Sequence, residues 1–246
     1  MNDSTLAIGV LLPEVLGTYG DTGNALVLAE RARRRGIDAT IVRVGLSDPI
    51  PHGLDLYTLG GGEDAAQAVA ADKLGSDPGL VRALDADRPL LAICASLQIL
   101  GHWYRDASGE RVSGLGALDI TTSPRGARII GELVIDPLID GLDDPLTGFE
   151  NHGGATTLGP GARPLGRVLS GVGNGAPEGP GDGAVPVDGV VQGPIIATYM
   201  HGPVLARNPH LADLLLSRAV GADLAPLDVP GVAALRAERL AAAQRP

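Results

Sequence analysis

Apolar and polar positions give the chain two textures. In the first hundred residues short apolar runs at 6–12, 37–44, 54–59 and 90–93 alternate with segments of helical period. Runs of that length suit strands buried on both faces. A turn-rich loop at 17–23 offers Asp21 or Thr22 as the cap of a helix over about 24–35, which Gly36 stops. Helical segments at about 64–73 and 78–87 lead into the fourth run. After Cys94, positions Leu97, Leu100 and Trp103/Tyr104 recur at helical spacing. This order predicts an α/β fold of three layers, a largely parallel mixed sheet with helices on both faces. In such a sheet reactive groups collect at the carboxyl ends of the strands.

From about residue 114 the pattern changes. Residues 127–135 and 164–169 read as strands of an antiparallel extension, with a polar, glycine-flanked loop at 148–154 between them. The Gly- and Pro-rich stretch 171–189 reads as a mobile surface loop. A strand at 194–200 ends at His201-Gly202-Pro203, followed by helices at 209–219 and, amphipathic and C-terminal, at about 231–243. With no internal repeat and no linker, residues 1–246 read as a single domain.

Composition narrows the classes. Nineteen basic against 29 acidic side chains give a formal charge of −10, which argues against nucleic acid and against an anionic membrane surface. A single cysteine excludes an internal disulfide and a thiolate zinc cage. The expectation is a soluble, cytoplasmic protein without membrane insertion, since neither a leader nor a long apolar run is visible. Arg31, Arg33, Arg34 and Arg35 read as a solvated helix end, favoured by the helix dipole.

Cys94 stands where the fourth strand turns into a helix, with small residues Ala92 and Ser96 on either side. This is the geometry of a nucleophile elbow, built here as Ala-x-Cys-x-Ser. Unpaired N–H groups at a helix start stabilise a thiolate. Gly60-Gly61-Gly62 lies at another strand's carboxyl end and can expose consecutive amides to an oxyanion. No Lys-Ser/Thr follows it, which excludes a nucleotide P-loop. Of five histidines, His201 closes an apolar strand and is the natural partner for Cys94, while His152 in the polar loop is a second candidate. A Cys–His pair with backbone oxyanion donors supports acyl transfer from amides or esters.

The order and spacing of Gly60-Gly61-Gly62, Ala92-Ile93-Cys94-Ala95-Ser96-Leu97-Gln98 and Tyr199-Met200-His201-Gly202 resemble the class I glutamine amidotransferases, in their cobyric-acid-synthase-like branch. Phe149-Glu150-Asn151-His152, Gly173-Asn174 and the run from His201 through Asn208-Pro209 to Asp213 are similar to the glutaminase subunits of lipid II isoglutaminyl synthase. The resemblance spans about residues 5–220. It implies that Cys94 attacks the side-chain amide of L-glutamine, that His201 is the base, and that the amides of Gly61 and Ala95 bind the oxyanion. It assigns Arg128 to the substrate α-carboxylate and Gln98 to a further substrate contact. The residues alone leave Arg111, Arg125 and Arg163 as alternatives to Arg128. The resemblance further implies a heterodimer with an ATP-dependent MurT-type ligase subunit. That partner would carry ATP and Mg, receive the ammonia and amidate lipid II, and this chain would need no metal or cofactor. A corrinoid acceptor and a catalytically silent regulatory subunit of the same fold are the alternatives. Pro203 stands where most members of the family have the glutamate that orients the histidine. The orienting carboxylate is therefore expected elsewhere in this chain or on the partner.

Overall fold

The computed structural model describes residues 5–106, 108–175 and 185–243. Its first half runs β1 (Leu6–Leu11), α1 (Gly23–Arg33), β2 (Ala39–Val44), β3 (Leu56–Leu59), α2 (Asp64–Ser76), α3 (Gly79–Asp85), β4 (Leu90–Ile93) and α4 (Ala95–Leu100). The second half runs β5 (Trp103–Arg105), β6 (Arg111–Ser113), β7 (Ile120–Pro137), β8 (Leu146–Leu158), β9 (Gly166–Ser170), β10 (Val187–Asp188), β11 (Val190–Gln192), β12 (Ile195–Thr198), β13 (Met200–His201), α5 (Val204–Arg207), α6 (Pro209–Val220) and α7 (Val232–Ala243).

Six of these strands form one sheet in the order β11-β12-β4-β3-β1-β2, parallel except for β11 at its edge. Every residue of β3, β4 and β12 is buried, as suits central strands that are apolar but for Thr58 and Thr198. From β1 the chain steps to β2 on one side, and from β3 to β4 on the other. Right-handed crossovers therefore put α1 and the α2–α3 pair on opposite faces. The packing of the helices agrees: α1 lies against α5 and α6, and α2 against α4. The order reverses between β1 and β3, where a parallel sheet opens its ligand crevice.

A second sheet is built on the antiparallel β7–β8 pair, which β9, β10, β5 and β6 extend along β7 and β13 joins through β8. Strand β12 belongs to the first sheet, while β13, two residues later, pairs Met200 with Glu150 and His201 with Phe149 in the second. His201 thus sits where the two sheets meet.

Four expectations change. Residues 148–154 are not a loop but the middle of β8, where Glu150, His152 and Gly154 alternate inward. The elbow helix ends at Leu100, because Gly101 adopts an extended backbone, and Trp103 and Tyr104 continue as β5. The arginine cluster is only partly solvated: Arg33 and Arg34 are exposed as expected, but Arg31 is buried and grips Asp213 through two 2.7 Å bonds, with Arg35 at 2.8 Å from the same carboxylate. The stretch 171–189 is anchored at both described ends, through Val172 and Gly173 to Glu150 and through β10 to β9; residues 176–184 lie outside the described residues. Among the described residues no helix is long and apolar enough to cross a membrane.

Candidate active site

Cys94 has φ 51° and ψ −104°. A side chain in that left-handed region is strained, and such strain concentrates at functional positions. The bend is held from two sides. The Cys94 N–H donates to Thr198 O at 2.9 Å, locking β4 to β12, and Ser96 Oγ donates to Gly60 O, locking α4 to the glycine run. Ala95 is the first residue of α4, so its N–H has no acceptor within the helix.

The glycines are needed for space, and none of Gly60, Gly61 and Gly62 has a positive φ. A Cβ on Gly60 would lie 2.2 Å from Leu16 O, and one on Gly62 2.6 Å from Val15 O. On Gly61 it would lie 2.5 Å from His201 Cε1. The run therefore passes flat against the β1 loop and the histidine ring.

His201 is 1 % exposed, and its Nδ1 lies 2.8 Å from Asp21 Oδ2. The same oxygen accepts the Gly61 N–H at 2.9 Å. A carboxylate only accepts, so Nδ1 carries the proton and Nε2 is the nitrogen left for Cys94. Nε2 makes no closed hydrogen bond among the described residues, a looseness common in unliganded sites. Burial lowers the pKa of the ring, but the Asp21 hydrogen bond and the nearby Cys94 and Asp21 charges outweigh it and raise it to about 10. At neutral pH His201 is thus an imidazolium between a carboxylate and a sulfur.

Asp21 makes the carboxylate contact to His201 that Pro203 cannot make. It does not cap α1, whose N-cap Thr22 makes no side-chain bond either; instead it reaches from the β1 loop across 180 residues of sequence.

A cleft of about 210 Å³ opens on Cys94 and is lined also by Gly62, Ala95, Gln98, Arg128, Asn151 and His152. Of the four arginines weighed, Arg128 alone lines it. The placement comes from a bulge: between the pairs Pro124–Gly154 and Ile129–His152, β7 advances five residues while β8 advances two. The extra residues, ending at Arg128, project at the cleft mouth, a common use of bulges beside active sites. Arg128 is half-exposed, with Nε on Asn151 Oδ1 at 2.5 Å and Nη2 3.6 Å from Glu63 Oε2. Arg111 instead stacks on Trp103, and Arg125 donates to Gly175 O.

Gln98 is nine-tenths buried and already engaged. Its Oε1 accepts from Gln67 at 2.8 Å and its Nε2 donates to Tyr199 Oη at 3.1 Å. Tyr199 continues to Thr156 at 2.7 Å, and burial pushes its hydroxyl pKa up. His152 stacks on Tyr199 with 3.9 Å between centroids, and its Nε2 lies 3.5 Å from Glu150 Oε2. His102 pairs instead with Asp119 at 2.9 Å, and His210 lies 3.5 Å from Asp144.

One expected role meets an obstacle. The Gly61 N–H is taken by Asp21, and Gly61 does not line the cleft. Gly62 does, and its N–H has no protein acceptor among the described residues.

The CobB/CobQ-like glutamine amidotransferase domain matches residues 7–209 of the chain. Subunit GatD of the glutamine-hydrolysing lipid II isoglutaminyl synthase of Streptococcus pneumoniae is 36 % identical over 218 residues, covering 87 % of this chain and 80 % of that one. The Staphylococcus aureus GatD subunit is 32 % identical over 240 residues, 96 % and 94 % of the two chains. A cobyric acid synthase of Limosilactobacillus reuteri is 32 % identical over 180 residues, 70 % of this chain but 34 % of its own. Among solved structures, a glutamine amidotransferase aligns with a TM-score of 0.56 at 21 % identity over 87 % of this chain and 98 % of its own. The glutaminase domain of Trypanosoma brucei CTPS aligns at 0.53 and 10 % identity over 93 % and 99 %. At those identities the two structures speak for the fold. With the family domain spanning most of the chain and two relatives above 30 % identity covered over 80 % and 94 % of their lengths, the chain belongs to the CobB/CobQ-like glutamine amidotransferases.

Proposed function

We propose that this chain is the glutaminase subunit of a cytoplasmic lipid II isoglutaminyl synthase. The observation that carries the hydrolytic half is the buried series Asp21–His201–Cys94 beside a cleft that Arg128 lines. Cys94 attacks the glutamine side-chain carbonyl as a thiolate. His201 already holds the proton that the leaving group requires, so it enters as the acid before it serves as the base. The oxyanion is received by the N–H groups of Ala95 and Gly62, the latter in place of Gly61. Each such donor contributes about 3–4 kcal/mol in comparable sites. The C–N bond breaks as the His201 proton passes to nitrogen, leaving ammonia and a γ-glutamyl thioester. Water then attacks the thioester while His201 takes its proton, and the C–S bond breaks to give glutamate and the thiolate.

Arg128 holds the substrate α-carboxylate, a match of guanidinium fork to carboxylate. Gln98 contributes as part of the polar wall through its remaining N–H. The acceptor follows from likeness: both relatives matched over most of their length are GatD subunits, whereas the cobyric acid synthase is matched over a third of its own. On this reading ammonia passes to a MurT-type ligase in a heterodimer. That partner carries ATP and Mg, and D-glutamate in lipid II becomes D-isoglutamine. No metal or cofactor is required of this chain.

Reconstitution tests the reading. The chain and its ligase together should amidate lipid II with glutamine and ATP. The ligase alone should do so only with added ammonia. Amidation of a corrinoid acid and not of lipid II would reassign the acceptor, and glutamine-dependent amidation by the ligase alone would remove the chain's role.

A further inference from the structure

The β1 loop that delivers Asp21 also carries Tyr19, which the reaction described above does not use. Tyr19 has φ 58°, a conformation that costs an aromatic residue and persists only where its surroundings fix it. Its ring meets the His201 ring edge-on, with centroids 4.9 Å apart and planes at 65°. The residue is nonetheless 42 % exposed, so core burial does not explain the strain.

What fixes it is polar. Tyr19 Oη accepts from Asn151 Nδ2, and Asn151 Oδ1 accepts from Arg128 Nε, each at 2.5 Å. The guanidinium has no acceptor, so it dictates which end of the Asn151 amide faces it and leaves the NH₂ for the tyrosine. With Nε engaged, the two Nη groups remain for a carboxylate, and the group now nearest is Glu63 at 3.6 Å from Nη2. A substrate carboxylate would displace Glu63 and leave the Asn151 link intact. The cation at the mouth of the cleft and the imidazolium behind the nucleophile are thereby joined through two side chains.

We propose that Tyr19 is a positioning residue that couples occupancy of Arg128 to the seating of His201. Its hydroxyl reads the Arg128 end through Asn151, and its ring packs edge-on against the His201 ring. This rests on the reading that Cys94 and His201 hydrolyse glutamine with Arg128 on its carboxylate.

The two halves of Tyr19 separate experimentally, because Cys94 is the only cysteine and any thiol label reports on it alone. Two electrophiles are compared on the full chain: iodoacetamide, which has no carboxylate, and the glutamine analogue 6-diazo-5-oxo-L-norleucine, which has one. Tyr19→Phe should slow labelling by the diazoketone roughly three- to tenfold, the scale of one hydrogen bond, and leave the iodoacetamide rate within about twofold. Tyr19→Ala should slow both, by roughly two- to tenfold for the lost ring contact. Tyr19→Phe added to Arg128→Ala should cost nothing further. Equal effects of Tyr19→Phe on the two reagents, no effect on either, or effects that multiply with Arg128→Ala would each overturn the coupling. Wild-type chain that reacts with iodoacetamide but not with the diazoketone would instead overturn the glutaminase reading itself.

Discussion

Replacing Gly61 by alanine puts a methyl group where the site has no room. The new carbon would stand 2.5 Å from His201 Cε1 and 3.3 Å from both His201 Nδ1 and Asp21 Oδ2. Ordinary carbon contacts begin near about 3.5 Å, so the ring must retreat by about 1 Å. It cannot retreat freely, because Asp21 holds Nδ1, Tyr19 lies against its edge and the ring is 1 % exposed. The backbone itself accepts alanine, since Gly61 is outside the left-handed region. Overpacking of this kind costs about 1–3 kcal/mol, which a domain with about 5–15 kcal/mol of stability survives. A misplacement of about 1 Å in a reacting group costs about 10²-fold in rate, or roughly 2.7 kcal/mol of barrier. Gly61→Ala should therefore remain folded, melting a few degrees lower, while kcat for glutamine hydrolysis falls about a hundredfold. The control is Gly53→Ala, where nothing lies within 4 Å of the new carbon. Steady-state ammonia release beside a thermal melt checks both. A folded Gly61→Ala chain with kcat within about twofold of wild type would refute the placement of His201 or its role.

Asp21→Asn keeps the shape but removes the charge, and should lower kcat by roughly 10³–10⁴-fold, the scale known for a triad aspartate made asparagine; stopped-time glutamate release measures it. The same change should lower the His201 pKa, as should Cys94→Ala, because Asp21 and Cys94 are the groups that raise it to about 10; imidazole NMR titration reads both shifts. A histidine whose folded pKa lies above its unfolded value of about 6.5 stabilises fully below that value and loses the contribution as pH rises through about 10. The stability difference between wild type and His201→Ala should accordingly narrow over that window in urea melts. Arg128→Ala should raise KM for glutamine at least tenfold, about 1.4 kcal/mol, with little effect on melting, since the side chain is half-exposed; an unchanged KM would take Arg128 out of the site.

The parallel sheet was legible because its strands are short, mostly apolar and separated by helix-period segments. Cys94 and the glycine run could be placed at strand ends for the same reason. The antiparallel half was harder, since β8 turns Glu150, His152 and Gly154 inward, and polar or absent side chains at buried positions erase the alternation that marks a strand. Asp21 reads in the sequence only as one of two candidate caps, with Thr22, of α1. An aspartate just before a helix reads as its cap, and only the tertiary placement of β13, which leaves the first sheet after β12 to join β8, shows that it faces His201. The glycine run alone offers the Gly61 amide to an oxyanion, whereas the adjacency of β1 and β3 puts Asp21 on that amide. Arg128 could not be chosen from four arginines by pattern, because a bulge in β7 aims it. Tyr19 carried no signal of its own.

The central claim is that one sulfur carries the acyl group, and acid-quenched intact-mass spectrometry during turnover tests it most directly. The chain mixed with glutamine should show a population heavier by one γ-glutamyl group, mapped to Cys94, increased in amount when water attack is slowed, and missing in Cys94→Ser together with all ammonia release. Undiminished ammonia release from Cys94→Ser, or an acyl group mapped to any other residue, would contradict it.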